Sequence, residues 1–211
     1  MSIIDKLKFW TSEDEQNELQ VPIESCRFVV LDTETTGFDY ENDRILCIGA
    51  LVLQNGIIEI NTAFEHYMDQ EHYDKNSAHI HGILRSDVLH HRSELQVLQL
   101  FLAYLGDSII VAHHTFFDVT MINKALARHG LPELTNKKLD TAYLYKETLI
   151  KSYLFERKDQ YSLDDLADKF DISKKDRHTA LGDAYITAIA FLKIIKRLKE
   201  KKELVLADLF K

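Results

Sequence analysis

The sequence predicts a mixed α/β domain in which a five-stranded sheet is flanked by helices, and three observations predict it. Apolar, strand-like runs come first, at Phe28–Leu31, Arg44–Leu53 and Ile57–Met68. The hydrophobic period then lengthens from two to three-and-four at Leu95. Two short runs, Ile109–Ala112 and Leu139–Thr141, then alternate with helical stretches. Three antiparallel strands followed by helix, strand, helix, strand and helices describe one sheet covered by helices.

Residues 1–25 stand apart as an N-terminal helical extension, because Ile3, Ile4, Leu7, Phe9 and Trp10 make a short apolar helix candidate and Thr11–Gln20 is polar and acidic. Pro22 precedes the first strand, a buried run ending at Leu31. Asn55-Gly56 between the second and third runs is a hairpin signal. After a loop containing Ile80-His81-Gly82-Ile83, Leu95, Leu98, Leu102 and Leu105 share one face of a helix that ends near Gly106. Ile109–Ala112 is a short buried strand, and Asp118–His129 is the next helix, closed by Gly130 and Pro132. Leu139-Asp140-Thr141 is a brief fifth strand. Ser162-Leu163-Asp164-Asp165 has the spacing of a capping box, with Asp in place of Glu, and opens a helix. A long helix from Thr179 to Lys199 ends the main domain, residues 26–200, and leaves 201–211 as a C-terminal tail.

A chain of 211 residues, 45% hydrophobic, buries a sizeable core and fits one domain with appendages. No apolar run approaches the ~20 residues of a membrane span, and Met1-Ser2-Ile3-Ile4-Asp5-Lys6 lacks the order of a signal peptide, so a cytoplasmic protein without a membrane partner is expected. Cys26 and Cys47 read as reduced, packed thiols. A net charge of −8 argues against a broad basic surface that grips nucleic acid. It does not exclude a nucleic-acid enzyme: if four carboxylates hold two divalent cations, the local charges cancel and a phosphate can approach.

Asp32-Thr33-Glu34-Thr35-Thr36-Gly37 is the most informative stretch. Residues two apart on a strand share a face, so Asp32 and Glu34 project side by side from the end of a buried strand, where a divalent metal is the simplest group to reconcile their charges. In so acidic a chain such a pair arises by chance several times over, and Glu13-Asp14-Glu15 is one instance. Context distinguishes Asp32 and Glu34: an apolar lead-in, then Thr-Thr-Gly as the chain turns away. Asp118 falls in the first turn of a helix and shares a stripe with Met121, Ile122 and Ala125, a place where an acid alone only complements the helix dipole. Asp183 lies one turn into the last helix, beside the stripe Leu181, Ala184, Ala188 and Phe191, and His178 sits just before that helix.

With these residues the sequence resembles the DnaQ-like, DEDDh-type 3′→5′ exonucleases, the family of the proofreading epsilon subunit of bacterial DNA polymerase III, and the element order is compatible with their ribonuclease H-like sheet. The matching segments are Val30–Gly37, Ile80–Ile83, Ala112–Asp118, Leu139–Thr141 and His178–Asp183, in the family's order over roughly residues 26 to 195. The resemblance implies that Asp32, Glu34, Asp118 and Asp183 hold two divalent metal ions, Mg²⁺ or Mn²⁺, and that His178 is the general base of a two-metal hydrolysis releasing nucleoside 5′-monophosphates from DNA 3′ ends. It further implies substrate contacts at Thr35, His81, His113 and Phe117, with packing the simpler role for Phe117, and a structural role for Asp140. The family's usual Asn after the first histidine is His114 here.

The expected partner is nucleic acid, preferentially single-stranded or frayed DNA 3′ ends. An exoribonuclease of the same superfamily shares all five central residues, since discrimination rests on contacts to the 2′-OH. A binding module that has lost the chemistry would lack a metal ligand, and none is missing. Lys174-Lys175-Asp176-Arg177 offers cations that steer a backbone toward His178, or else a solvated loop. Leu206-Ala207-Asp208-Leu209-Phe210 resembles a sliding-clamp-binding peptide without its leading Gln, and docking on its own domain is the simpler reading. The Phe9-Trp10 segment packs in cis or docks to a DNA polymerase or a second copy. The chain length leaves little room for a long polymerase-binding tail, which favours a standalone enzyme.

Overall fold

The computed structural model describes residues 19–70, 92–149, 158–200 and 202–210. The apolar segment expected at Ile3–Trp10 and the loop carrying His81 lie outside the described residues. Strands β1 (Arg27–Thr35), β2 (Ile45–Gln54) and β3 (Ile57–Asp69) form an antiparallel meander. Asn55 and Gly56 join β2 to β3 at φ 53° and 72°, the left-handed conformation that Asn-Gly accommodates in a tight hairpin. The chain continues through β4 (Arg92–Ser93), α1 (Glu94–Leu105), β5 (Ile109–Ala112), α2 (Thr115–Arg128), β6 (Lys138–Asp140), α3 (Thr141–Thr148), α4 (Leu163–Phe170) and α5 (Ala180–Lys199).

The sheet order is β4-β3-β2-β1-β5-β6, with β5 parallel to β1 and β6 parallel to β5. The five expected strands are all present. The sixth, β4, is two residues paired with Met68 and Asp69, too short to carry a period of its own. Capping boxes start α1 at Ser93 and α4 at Ser162, the latter with Asp165 in the third helical position as the spacing predicts. Helix α3 is an addition to the expected elements, and α2 begins at Thr115, three residues ahead of Asp118.

Alternation along β1 divides the interior into two cores. Phe28 and Val30 face α3, α4 and α5 in one, while Val29 and Leu31 face α1 and α2 in the other. Residues 202–210 belong to the first core: Leu206 and Leu209 are buried in it, the Leu206 amide donates to the Val21 carbonyl at 3.0 Å, and Val205 bridges Pro22. Both cysteines are free and buried. No described helix is long and apolar enough to cross a membrane.

Candidate active site

The alternation that sorts the two cores also aims the acids. Beyond Leu31, Asp32 and Glu34 continue the row that faces α5, and Thr33 continues the row that faces α2. The register shifts between Glu34 and Thr35, which ends regular pairing and turns the chain toward Gly37. On the other side Thr179 caps α5, its hydroxyl accepting from the Gly182 amide at 3.1 Å, so Asp183 stands in the first turn.

What lets the helix come this close is Gly49, the partner of Asp32 on β2. A Cβ there would lie 2.2 Å from the Ala180 carbonyl carbon and 2.3 Å from the Leu181 nitrogen. Gly182 serves the turn before the helix in the same way, since a Cβ would meet the Asp176 oxygen at 1.9 Å. With both glycines in place, carboxylate oxygens of Asp32, Glu34 and Asp183 lie within 4.8 Å of one another.

Asp118 is buried at the head of α2, outside that three-acid group. Its Oδ1 accepts from the Thr33 amide at 3.0 Å and the Thr33 hydroxyl at 2.7 Å. His114, which precedes this helix as its N-cap, sits at φ 60° and ψ 47°. Asn is among the few residues that tolerate this left-handed region, and His is another. The loop therefore takes this shape with His114.

Crowding of acids in a buried place raises their proton affinity. Asp32 is pushed well up, first by burial and then by Asp118, Asp183 and Glu34. Burial and Asp183 bring Glu34 to about 7. Asp118 also rises to about 7, burial outweighing its bonds from Thr33. Asp183 is raised by burial against the opposing pull of Arg177. Arg177 gives Nε and Nη2 to Asp164 at 2.9 and 3.2 Å and Nη1 to Asp183 Oδ2 at 2.5 Å. Asp183 Oδ1 is buried without a hydrogen-bond partner among the described residues. An orphaned carboxylate oxygen beside two further acids is the donor set of a hard divalent cation such as Mg²⁺ or Mn²⁺, and the residues fit one.

His178 is exposed, with its backbone at φ 64° and its amide donating at 3.3 Å to Asp183 Oδ2, the same carboxylate that α5 delivers. Thr35 turns its hydroxyl to the Gly37 carbonyl at 2.8 Å. The His113 ring is engaged by the chain itself: Nε2 donates to the Tyr161 carbonyl and Nδ1 pairs with the Thr141 hydroxyl, each at 2.9 Å. Burial, and then the adjacent His114, lower it to about 4, so the ring is neutral at pH 7. Phe117 packs partly buried against the second core. Asp140 caps α3 through the Ala142 and Tyr143 amides and accepts from the Thr115 amide at 3.1 Å, the structural role expected of it. Of the run Lys174–Arg177, Arg177 is held by Asp164 and Asp183 and Lys174 by Asp168 rather than left free. Sequence reasoning missed Gly49, Gly182 and Thr33. Gly49 carried a signal, a glycine inside an apolar strand run.

A family model described as an exonuclease matches residues 29–191. The chain is similar to the PolC-type DNA polymerase III of Halalkalibacterium halodurans, 32% identical over 187 residues that cover 88% of this chain and 12% of that one. The PolC-type DNA polymerase III of Thermotoga petrophila is 35% identical over 179 residues, covering 84% and 12%. The chain thus spans about an eighth of the length of these curated relatives. Among solved structures, E. coli Exonuclease I in complex with a dT13 oligonucleotide matches with a TM-score of 0.72 at 15% identity, over 84% of this chain and 42% of that one. Exonuclease X in complex with 5′ overhanging duplex DNA matches with a TM-score of 0.63 at 22% identity, over 88% and 99%. At these identities the two structures speak for the fold.

Proposed function

The chain belongs to the exonuclease family whose model it matches over residues 29–191, and from that premise we propose that it is a metal-dependent 3′→5′ exonuclease that removes nucleoside 5′-monophosphates from DNA 3′ ends. The observation that carries this reading is the convergence of Asp32, Glu34 and Asp183 within 4.8 Å, with a buried Asp183 oxygen left unpartnered among the described residues. DNA as substrate draws support from the relatives, which are DNA polymerases in one comparison and DNA-bound exonucleases in the other.

Asp32, Glu34, Asp118 and Asp183 would hold two divalent ions, which when bound supply charge to activate a water and to stabilise the attacking and leaving oxygens. His178, exposed and bonded through its amide to Asp183, would be the base that accepts the proton the attacking water gives up. The water oxygen bonds to phosphorus as the bond to the 3′ oxygen of the preceding nucleotide breaks. Thr33 fixes Asp118 and Gly49 admits α5, so the acids are in place before substrate arrives. A polymerase remains a proposed partner through the PolC-type relatives, and burial of Leu206 and Leu209 favours a tail docked in cis over a clamp-binding peptide.

The test is digestion of a 3′-recessed, a blunt and a single-stranded DNA labelled at the 5′ end, with Mg²⁺ or Mn²⁺ and with a matched RNA alongside. Stepwise shortening that EDTA and Asp32→Ala both abolish is expected. A folded protein that leaves every DNA intact would end the proposal.

A further inference from the structure

An apolar groove opens at the end of α5 away from the acids, beside the place where the described chain begins. Ile23, Phe28, Leu53, Phe191, Leu192 and Ile195 line it, and the rings of Phe28 and Phe191 meet edge to face at 5.2 Å. The groove holds about 220 Å³, less than the roughly 300–1,000 Å³ of pockets that take a small molecule, so it suits side chains better than a cofactor. Phe191 and Lys199 lie eight and sixteen residues beyond Asp183 on the same helix, about 12 and 24 Å along its axis, which separates the groove from the acid cluster.

A candidate occupant precedes it in the same chain. Ile3, Leu7 and Trp10 fall at i, i+4 and i+7 with Ile4 beside them, one apolar stripe at helical spacing. Leu19 and Val21 pack partly buried on the first core and Ile23 lines the groove, so the chain enters the described structure at the groove's edge. Residues 11–18 separate Trp10 from Leu19. They span at most about 30 Å and keep the stripe near the groove at an effective concentration of about millimolar, so a weak contact suffices.

Charge favours the same pairing. Glu13, Asp14, Glu15 and Glu18 fall in the connection, which holds no Lys or Arg. The last turn of α5 carries Lys196, Arg197 and Lys199, of which Lys196 and Lys199 stand on the groove's rim, the latter paired with Glu24. An acidic connection beside a cationic rim is drawn toward it. We propose that Ile3, Ile4, Leu7 and Trp10 seat in this groove of their own chain and cover the apolar surface made by β1, β2 and the last turns of α5.

Trp10 is the single tryptophan of the chain, so its surroundings can be read without interference. The full chain carries Lys196→Cys, exposed on the rim and labelled with bimane, a dye whose emission a tryptophan quenches on close approach. Cys26 and Cys47 are buried, and protein without the new cysteine gives the blank. Gln99→Cys, exposed on α1 across the sheet, is the distant control. All readings are taken in EDTA without substrate, so they are independent of cleavage.

The label at position 196 is expected to lose most of its emission, and Trp10→Phe to restore it, while the label at position 99 ignores that change. Leu7→Asp removes a buried leucine and brings a charge to the groove, so it should shift the docked-to-free ratio about a hundredfold toward free and restore the emission as well. In unlabelled protein it should move Trp10 emission to the red. A label at 196 that is indifferent to Trp10→Phe, equal quenching at 99, or quenching that survives Leu7→Asp would overturn the docking. Trp10 emission as red in the native parent as in denaturant would do so too. Quenching that fades on dilution as the mass falls from dimer to monomer would assign the stripe to a second copy and overturn seating in cis.

Discussion

Arg177 donates Nη1 to Asp183 Oδ2 across 2.5 Å, so a carboxylate expected to bind metal is held by the chain's own cation. The same guanidinium lowers the proton affinity of Asp32 and Glu34, which makes it the local counterweight to the acid cluster. Removing it leaves Asp183 buried with unrelieved charge. Arg177→Met should lower the stability of the metal-free protein by about 1–3 kcal/mol. Mn²⁺ then replaces the lost charge, so the rise in Tm on adding Mn²⁺ should be larger in the variant than in the parent. Equal rises, in melts with EDTA and with saturating Mn²⁺, would show that Arg177 has no part in balancing the cluster.

The pH dependence of the metal-free chain has a definite sign. Glu34 and Asp118 rise to about 7 from ordinary values of 4.5 and 3.8, so over that interval the folded protein holds protons that the unfolded chain has released. Stability from the neutral carboxyls is complete below about pH 4 and is lost as the pH climbs through 7. Denaturant melts in EDTA should therefore show falling stability between pH 5 and pH 8. A divalent cation favours the ionised forms, so its stabilising effect should be greater at pH 8 than at pH 5. A metal-free stability that rises across this window would contradict the buried, crowded acids.

Gly49→Ala tests whether the approach of α5 creates the site. The added methyl meets backbone at 2.2 and 2.3 Å, and backbone cannot rotate away as a side chain can. Relief requires the head of α5 to shift, and Asp183 shifts with it. A cost of about 1–3 kcal/mol in denaturant unfolding is expected, with weaker Mn²⁺ binding by calorimetry. Gly56→Ala provides the contrast: it meets no atom within 4 Å but has φ 72°, so it should cost stability and leave metal binding alone.

The reach of sequence reasoning differs by residue for physical reasons. Asp32 and Glu34 were legible as neighbours because the period of two follows from strand geometry alone. Asp118 and Asp183 were legible as helix-head acids next to apolar stripes, but their unequal relation to Asp32 was not. That inequality arises because β1 sends Thr33 to one face and its acids to the other, and the bond from Thr33 to Asp118 spans 85 residues of sequence. Helix α3 leaves little signal in the sequence because eight residues carry barely two turns of pattern, and its cap is Asp140, which equally ends a strand. For His113 the resemblance implies a substrate contact, yet Thr141 and Tyr161 take both its nitrogens, contacts that exist only once the start of α3 and the segment before α4 are in place.

Thr33 offers the last test, since it is the residue that holds Asp118 apart from the other three acids. Its amide and its hydroxyl both serve Asp118 Oδ1, and both atoms are buried. Thr33→Val keeps the shape and the amide bond and removes the hydroxyl donor, leaving a buried carboxylate with one bond fewer. The proton affinity of Asp118 should rise further, and metal-free stability at pH 8 should drop by about 1–3 kcal/mol. At pH 5, where Asp118 is protonated in either protein, the difference should shrink, because a neutral carboxyl depends less on the lost donor. Thr33→Ser restores the hydroxyl and should recover most of the loss at pH 8. If Thr33→Val matched the parent at pH 8 while Thr33→Ser lost stability, the methyl of Thr33 rather than its hydroxyl bond would be what matters, and Asp118 would owe its position to the Thr33 amide and the packing of α2.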